Sequence, residues 1–337
     1  MTQSVQGLTR RQFLRITASA GVLLAGSFGL ANGLPGPRTE SVQETRLLLG
    51  SVANLTIISD DPQRARTAIS AAFDRMAALE DVFSRHRPNS QLSQLNATSH
   101  LNNAHPALLD VLARALDYSQ LTGGAFDVTI EPVHRLYREH AHTGTLPSEE
   151  AVHAARQLVD YRQVRIDGSS IRLGKQGMAL TLDGIAKGYI VDQGVATLAE
   201  HGFGNALVEL GGDLHTLGDT GQRPWQVAIR QPDAARQSRR LVAQVNGALA
   251  TSGDYLNTFT ADRRLHHILD PHSGISPREL ASASVLAPTT ADADALSTAL
   301  LVMGHAGLTL IQRLPGIEAL VIGKDGSIQQ TRGFQLV

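Results

Sequence analysis

A mixed α/β fold, with helices and strands interleaved along the chain, is predicted by three features of the 337-residue sequence. Apolar residues at three- and four-residue spacing mark helices, and short apolar runs beside Asp-Gly or Gly-Gly pairs mark strands and their turns. A hydrophobic content of 42 % over this length is enough to bury a substantial core. Charge is balanced, 30 Lys+Arg against 31 Asp+Glu, so neither a polyanion partner nor a membrane surface is indicated.

The N-terminal segment stands apart from that core. Thr9-Arg10-Arg11-Gln12-Phe13-Leu14-Arg15 precedes an uncharged run from Ile16 to Ala31 and the breaker-rich Asn32-Gly33-Leu34-Pro35-Gly36-Pro37. This reads as a twin-arginine export signal with linker over residues 1–36, cleaved near Ala31 to Gly36. A membrane anchor wants about 20 apolar residues, and this run is shorter and only moderately apolar. With no cysteine in the sequence there is no disulfide and no lipid-bearing residue. The expectation is a periplasmic protein that is not a lipoprotein.

Downstream, Leu47 to Ile58 reads as a strand. Asp61-Pro62 supplies an N-cap and first-turn proline for a helix whose Ile69, Phe73, Met76, Leu79 and Phe83 share one face. A second helix runs from Pro106 to Leu121 and stops at Gly123-Gly124. Val164–Ile166 and Ile171–Leu173 flank Asp167-Gly168 as a hairpin. A helix follows Lys187, strands follow at Ala206–Leu210, Trp225–Ile229 and Leu241–Val245, and a late helix spans Ala291 to Val302. Ala319–Ile322 and Ser327–Gln330 close the chain as a hairpin around Asp325-Gly326, and polar Gln231–Arg240 reads as a surface loop.

Five segments carry candidate chemistry. Leu182 to Asp192 joins a strand end, a Gly-flanked turn and a helix start bearing Lys187, an arrangement suited to a phosphate group; the glycines serve packing equally well. Asp294 and Thr298, four apart at a helix start, present a carboxylate and a hydroxyl on one face, hard donors suited to Mg²⁺; each also has an ordinary helical role. His266 and His267, adjacent in a strand, would face opposite ways, so one at most enters a site. No cysteine and no third ligand at recognisable spacing supports zinc, which leaves general acid/base work or a structural role. Gly247 to Tyr255 runs a strand into a small-residue turn around Thr251 without a nucleophile elbow. Asp127, after Gly123-Gly124, would either bind a ligand or cap its own turn.

Together these segments resemble the ApbE family of FAD:protein FMN transferases. The likeness runs from about Leu47 to Gly304 in family order: Phe83-Ser84 with Pro88-Asn89-Ser90-Gln91-Leu92 and Leu95-Asn96; Gly124-Ala125-Phe126-Asp127-Val128-Thr129; Gly184-Ile185-Ala186-Lys187-Gly188-Tyr189 with Asp192; Leu210-Gly211-Gly212-Asp213; Thr251-Ser252-Gly253-Asp254-Tyr255; His267-Ile268-Leu269-Asp270-Pro271 with Gly274; and Ala293 to Leu300 with Gly304. Leu49-Gly50-Ser51 stands where the family usually has Met-Gly-Thr, and Ser273-Gly274 where it has Thr-Gly. The resemblance implies a single two-lobed, T-fold-related domain over residues 45–337. It also implies Mg²⁺-dependent transfer of FMN from FAD to a Thr or Ser hydroxyl of another protein, with release of AMP. Carried over by position, Asp294, Thr298 and the Gly184 carbonyl hold Mg²⁺; Asp127, Lys187, Ile268, Ser90, Leu49 and Thr251 line the FAD site; His267 is the acid/base residue. The implied acceptor is an extracytoplasmic flavin domain of a NosR-, Rnf- or Nqr-type membrane flavoprotein. A secreted FAD-binding protein without transferase activity and an FAD pyrophosphatase giving FMN and AMP are the rival readings.

Overall fold

The computed structural model describes residues 39–232, 241–255, 257–260 and 262–337; the export segment and most of the polar stretch Gln231–Arg240 lie outside the described residues. In chain order the elements are strands β1 (Glu40–Leu48) and β2 (Ser51–Ser59), helices α1 (Pro62–Phe83) and α2 (Gln91–Thr98), β3 (His100–Leu101), α3 (Pro106–Leu121), α4 (Glu131–Thr143), α5 (Glu149–Arg156), β4 (Val164–Asp167) and β5 (Ser170–Leu173). Then come α6 (Ala186–Glu200), β6 (Ala206–Leu210), β7 (Asp213–Leu217), β8 (Trp225–Ile229), β9 (Leu241–Val245), β10 (Gly247–Gly253), β11 (Leu280–Ala287), α7 (Thr290–Met303), α8 (Gly307–Ile311), β12 (Glu318–Gly323) and β13 (Ile328–Gln330).

Eight strands form one antiparallel sheet in the order β1-β2-β6-β7-β10-β11-β12-β13. Period-two alternation sorts its side chains into two cores. On β10, Ala248 and Ala250 meet α7, whereas Leu249 turns to the opposite face, where the separate β8–β9 ribbon places Val227, Ile229, Ala243 and Val245. The largest core joins α1, α3 and α6 to β2 and β6; Ile69, Phe73, Met76, Leu79 and Phe83 are all buried in it, as their spacing predicts. Asp61 caps α1 by accepting from the Arg64 amide at 3.0 Å.

Leu47–Ile58 is two strands rather than one. The chain reverses at Leu49-Gly50, both in the left-handed region (φ 50° and 68°), so that Leu48 pairs with Ser51. Such a turn favours Asn or Gly at its first position; a leucine there hides the hairpin from a sequence reading. His266-His267 is not in a strand either: the described residues between Asn257 and Gly274 are irregular, with an isolated bridge between Thr258 and His266. The hairpins at Asp167 and Asp325, the helix after Lys187, and the strands at 206–210, 225–229 and 241–245 occur as expected. Helices α2, α4, α5 and α8 and strands β1, β3, β7 and β11 have no counterpart in the sequence pattern.

Candidate active site

The Leu182–Ile185 turn is built by its backbone. Ile185 N and Ala186 N both donate to Leu182 O, at 3.0 and 2.8 Å, and Thr181 N donates to Val128 O at 2.8 Å, tying this turn to the one that holds Asp127. The two glycines around Lys187 have different jobs. A Cβ on Gly188 would lie 2.3 Å from Thr290 O, so Gly188 lets α6 cross the start of α7. A Cβ on Gly184 would lie 3.0 Å from Thr298 Oγ1 and 3.2 Å from the Phe126 ring, so only a residue without a side chain leaves room beside the threonine hydroxyl.

Across that crossing, Asp294 Oδ2 accepts from Gly188 N at 3.2 Å. One of the free amides of the α6 N-terminus is therefore occupied by a carboxylate of the protein itself. Burial drives the Asp294 carboxyl well above the ordinary carboxylate range; Asp213 pushes it further, against Lys187 and the Gly188 amide. Burial alone would lower the Lys187 ammonium, but Asp213 and Asp294 overcome it and raise it, so it stays charged. Lys187 donates to Asp213 at the start of β7. An acid this destabilised, beside a hydroxyl and a backbone turn, is an all-oxygen donor set of the kind a hard divalent cation takes. These residues fit Mg²⁺.

Two further carboxylates organise this wall. Asp192 accepts from Thr290 N at 2.8 Å, Ala291 N at 3.0 Å and His215 Nδ1 at 3.0 Å, fixing the N-terminus of α7 to α6. Glu209 is buried, takes the Gly212 amide at 2.7 Å and bonds Asn54 Nδ2, which shapes the Gly211-Gly212 turn leading to Asp213. The sequence pattern by itself gives no role to Asp192, Asp213 or Glu209. Asp192 and Asp213 sit in matched motifs, but their partners are far away in the chain.

His267 stands on the other wall. Its backbone N donates to Asn257 O at 2.9 Å and its Nδ1 lies 3.1 Å from the same oxygen. A carbonyl only accepts, so Nδ1 carries the hydrogen and Nε2 is left with a lone pair. Burial lowers the ring's pKa below its ordinary 6.5, and Lys187 adds to this while the Asn257 bond and Asp183 oppose it. His266 by contrast is fully buried, with Nε2 3.4 Å from Pro277 O, and burial takes it down to about 4.

Both walls line one cleft of about 1040 Å³, at the upper end of small-molecule sites, which run to roughly 1,000 Å³. Leu49, Asp127, Gly184, Lys187, Thr251, His267, Ile268, Asp294 and Thr298 all reach it. Leu49 does so from its strained left-handed backbone, a kind of strain concentrated at ligand sites. Asp127 presents a carboxylate already engaged by Thr129 N at 2.8 Å, Thr129 Oγ1 at 2.6 Å and Tyr161 N at 3.1 Å, so it caps its turn at the cleft edge. Ser90 does not line the cleft: its hydroxyl donates to Ser84 O and accepts from Ser93 N at 3.0 Å, capping α2. Arg85, held by Asp183 at 2.8 Å, and Arg230, 5.1 Å over the Tyr255 ring, add positive charge at the cleft.

The ApbE family model matches residues 49–321. The FAD:protein FMN transferase of Treponema pallidum is 31% identical over 340 residues, covering 93% of this chain and 93% of its own. Among solved structures, the flavin transferase ApbE from Vibrio cholerae superposes with a TM-score of 0.75 at 27% identity, covering 87% of this chain and 97% of its own. The ApbE protein of Thermotoga maritima gives a TM-score of 0.77 at 28% identity, with the same coverage. A mixed α/β chain with this sequence likeness, this fold and this cleft belongs to the ApbE family.

Proposed function

We propose that the protein is an FAD:protein FMN transferase, using Mg²⁺ and acting outside the cytoplasm after twin-arginine export. The observation that carries the reading is the convergence of Gly184, Asp294 and Thr298 with Lys187 on one wall and of His267 on the other wall of the same cleft. The likeness to FAD:protein FMN transferases supports the substrate, and the donor set supports the metal.

In the proposed reaction an acceptor Thr or Ser oxygen attacks the FMN-side phosphorus of FAD. A new P–O bond forms, the bond to the bridging oxygen breaks, and AMP leaves with that oxygen. His267 Nε2 takes the hydroxyl proton, for which its neutral state at pH 7 is required. Bound at Asp294, Thr298 and Gly184, Mg²⁺ would neutralise charge on the phosphoryl oxygens. Lys187 holds a permanent positive charge beside them, and Ile268, Leu49 and Thr251 provide cleft surface for the flavin nucleotide. The acceptor is proposed to be an extracytoplasmic flavin domain of a NosR-, Rnf- or Nqr-type membrane flavoprotein. The absence of cysteine from the sequence leaves no site for a lipid anchor of its own.

Purified protein incubated with FAD, Mg²⁺ and such a domain is expected to raise the acceptor mass by one FMN. Free FMN with every acceptor unmodified would favour the pyrophosphatase reading; no FMN in either form would favour a flavin-binding protein.

A further inference from the structure

Ser252, on β10, lies 3.2 Å from Thr298 Oγ1 and 3.0 Å from Ser297 Oγ. Ser297 in turn lies 3.0 Å from the main-chain oxygen of Asp294. These contacts form one chain of hydroxyls, and its direction follows from its last member. A carbonyl oxygen can only accept, so Ser297 donates to Asp294 O. With its single hydrogen spent, Ser297 accepts from Ser252. Ser252 has then spent its own hydrogen, and it accepts from Thr298. The Thr298 hydrogen is thereby drawn toward β10, and both Thr298 lone pairs are left free beside the Gly184 turn, where an added Cβ would come within 3.0 Å of Thr298 Oγ1. Ser252 and Ser297 are buried, and no other side-chain bond of Thr298 is present among the described residues.

From this geometry we infer that Ser252 is a positioning residue for the cation: through a one-way hydroxyl relay, Thr298→Ser252→Ser297→Asp294 O, it keeps Thr298 Oγ1 a lone-pair donor. The inference rests on the metal reading above. Without the relay the Thr298 hydrogen is free to rotate toward the cation, where it repels. Anchoring on Asp294 O also ties the threonine's orientation to the residue that supplies the carboxylate, so both side-chain ligands are set by the same turn of α7. Partners that orient metal ligands typically change affinity by about 10- to 100-fold when removed.

The test is Mn²⁺ binding to the purified full-length protein, read from the EPR signal of free Mn²⁺, with melting temperature recorded alongside. Ser252→Ala is expected to raise the Mn²⁺ dissociation constant about tenfold, and Ser297→Ala to raise it by a smaller factor. Thr298→Ala weakens binding too, and adding Ser252→Ala to it changes nothing further, because the relay acts only through that hydroxyl. A purely structural role would lower the melting temperature and leave Mn²⁺ affinity alone. Wild-type affinity in folded Ser252→Ala, or additive losses in the double variant, would overturn the relay while leaving the metal site standing. If Ser252→Ala fails to fold, Ser297→Ala decides, since alanine suits a helix: unchanged affinity overturns the relay. Equal Mn²⁺ binding by wild type and Asp294→Ala would remove the metal reading itself, and the relay with it.

Discussion

On one side of the cleft, every candidate phosphate or metal residue rides on or beside a regular element. Lys187 and Gly188 lie in the first turn of α6, Asp294 and Thr298 lie one turn apart on α7, and Ser252 lies on β10. The part of the lining that carries His267 comes from the described residues of Asn257–Gly274, which are irregular and held by main-chain bonds such as His267 N to Asn257 O at 2.9 Å and Gly274 N to Asp270 O at 2.7 Å. The regular wall also carries the heavier electrostatic cost: Asp294, Asp213 and Glu209 are each under 5 % exposed. Charge neutralisation at a pyrophosphate demands groups that do not reorganise, which helices and strands supply. Proton transfer needs one lone pair correctly aimed, and a single carbonyl suffices to aim it.

This contrast can be broken by separate substitutions. Asp294→Ala, on the regular wall, is expected to cut AMP release by about 10³-fold, the upper range for a lost electrostatic contact. Flavin fluorescence titration should still find FAD bound, and unchanged turnover would end the metal assignment. His267→Ala, on the irregular wall, should slow transfer about 100-fold with FAD affinity kept. In the wild type at saturating Mg²⁺, the His267 limb of kcat/KM should lie below pH 6.5, because the folded His267 pKa is lowered by burial. His267→Ala should lose that acid limb, and a limb retained in it would give the titration to another group.

Stability against acid sharpens the comparison further. Burial takes His134, at the cleft, to about 3 and His266 to about 4, both below the unfolded value of 6.5. The unfolded chain therefore binds the extra protons, so their contribution to stability is full above pH 6.5 and is lost as pH falls toward 4 and then 3. Melting temperature should drop over that window, and His266→Asn should flatten the drop. Gly184→Ala should disturb the metal wall, raising the Mg²⁺ concentration for half-maximal activity about tenfold, because its Cβ meets Thr298 Oγ1 at 3.0 Å. Ser90→Ala should cost about 1 kcal/mol of stability as a lost N-cap and leave FAD affinity unchanged, as fits a residue outside the cleft.

The regular wall was also the more legible one. Asp61-Pro62 announces α1, and the Asp294/Thr298 spacing places both groups on one face, because a cap and a helical period are local facts. What stayed hidden depends on distant partners. Asp213 matters through Lys187, 26 positions earlier, and Asp192 through the amides of α7, 98 and 99 positions later. Leu49 looks mid-strand in the sequence because leucine is a poor signal for a left-handed turn, and the His267 segment looks like a strand because apolar residues flank it. Ser90 matched a motif whose local reason is a helix cap.

The most direct measurement of the central claim is intact mass of the acceptor domain after incubation with this protein, FAD and Mg²⁺, beside the same reaction with the acceptor's target Thr or Ser changed to Ala. The account predicts a gain of one FMN on the unchanged acceptor, one AMP released for each FMN attached, and neither mass gain nor matching AMP with the altered acceptor. Free FMN and AMP accumulating equally with both acceptors, and no mass gain on either, would contradict it.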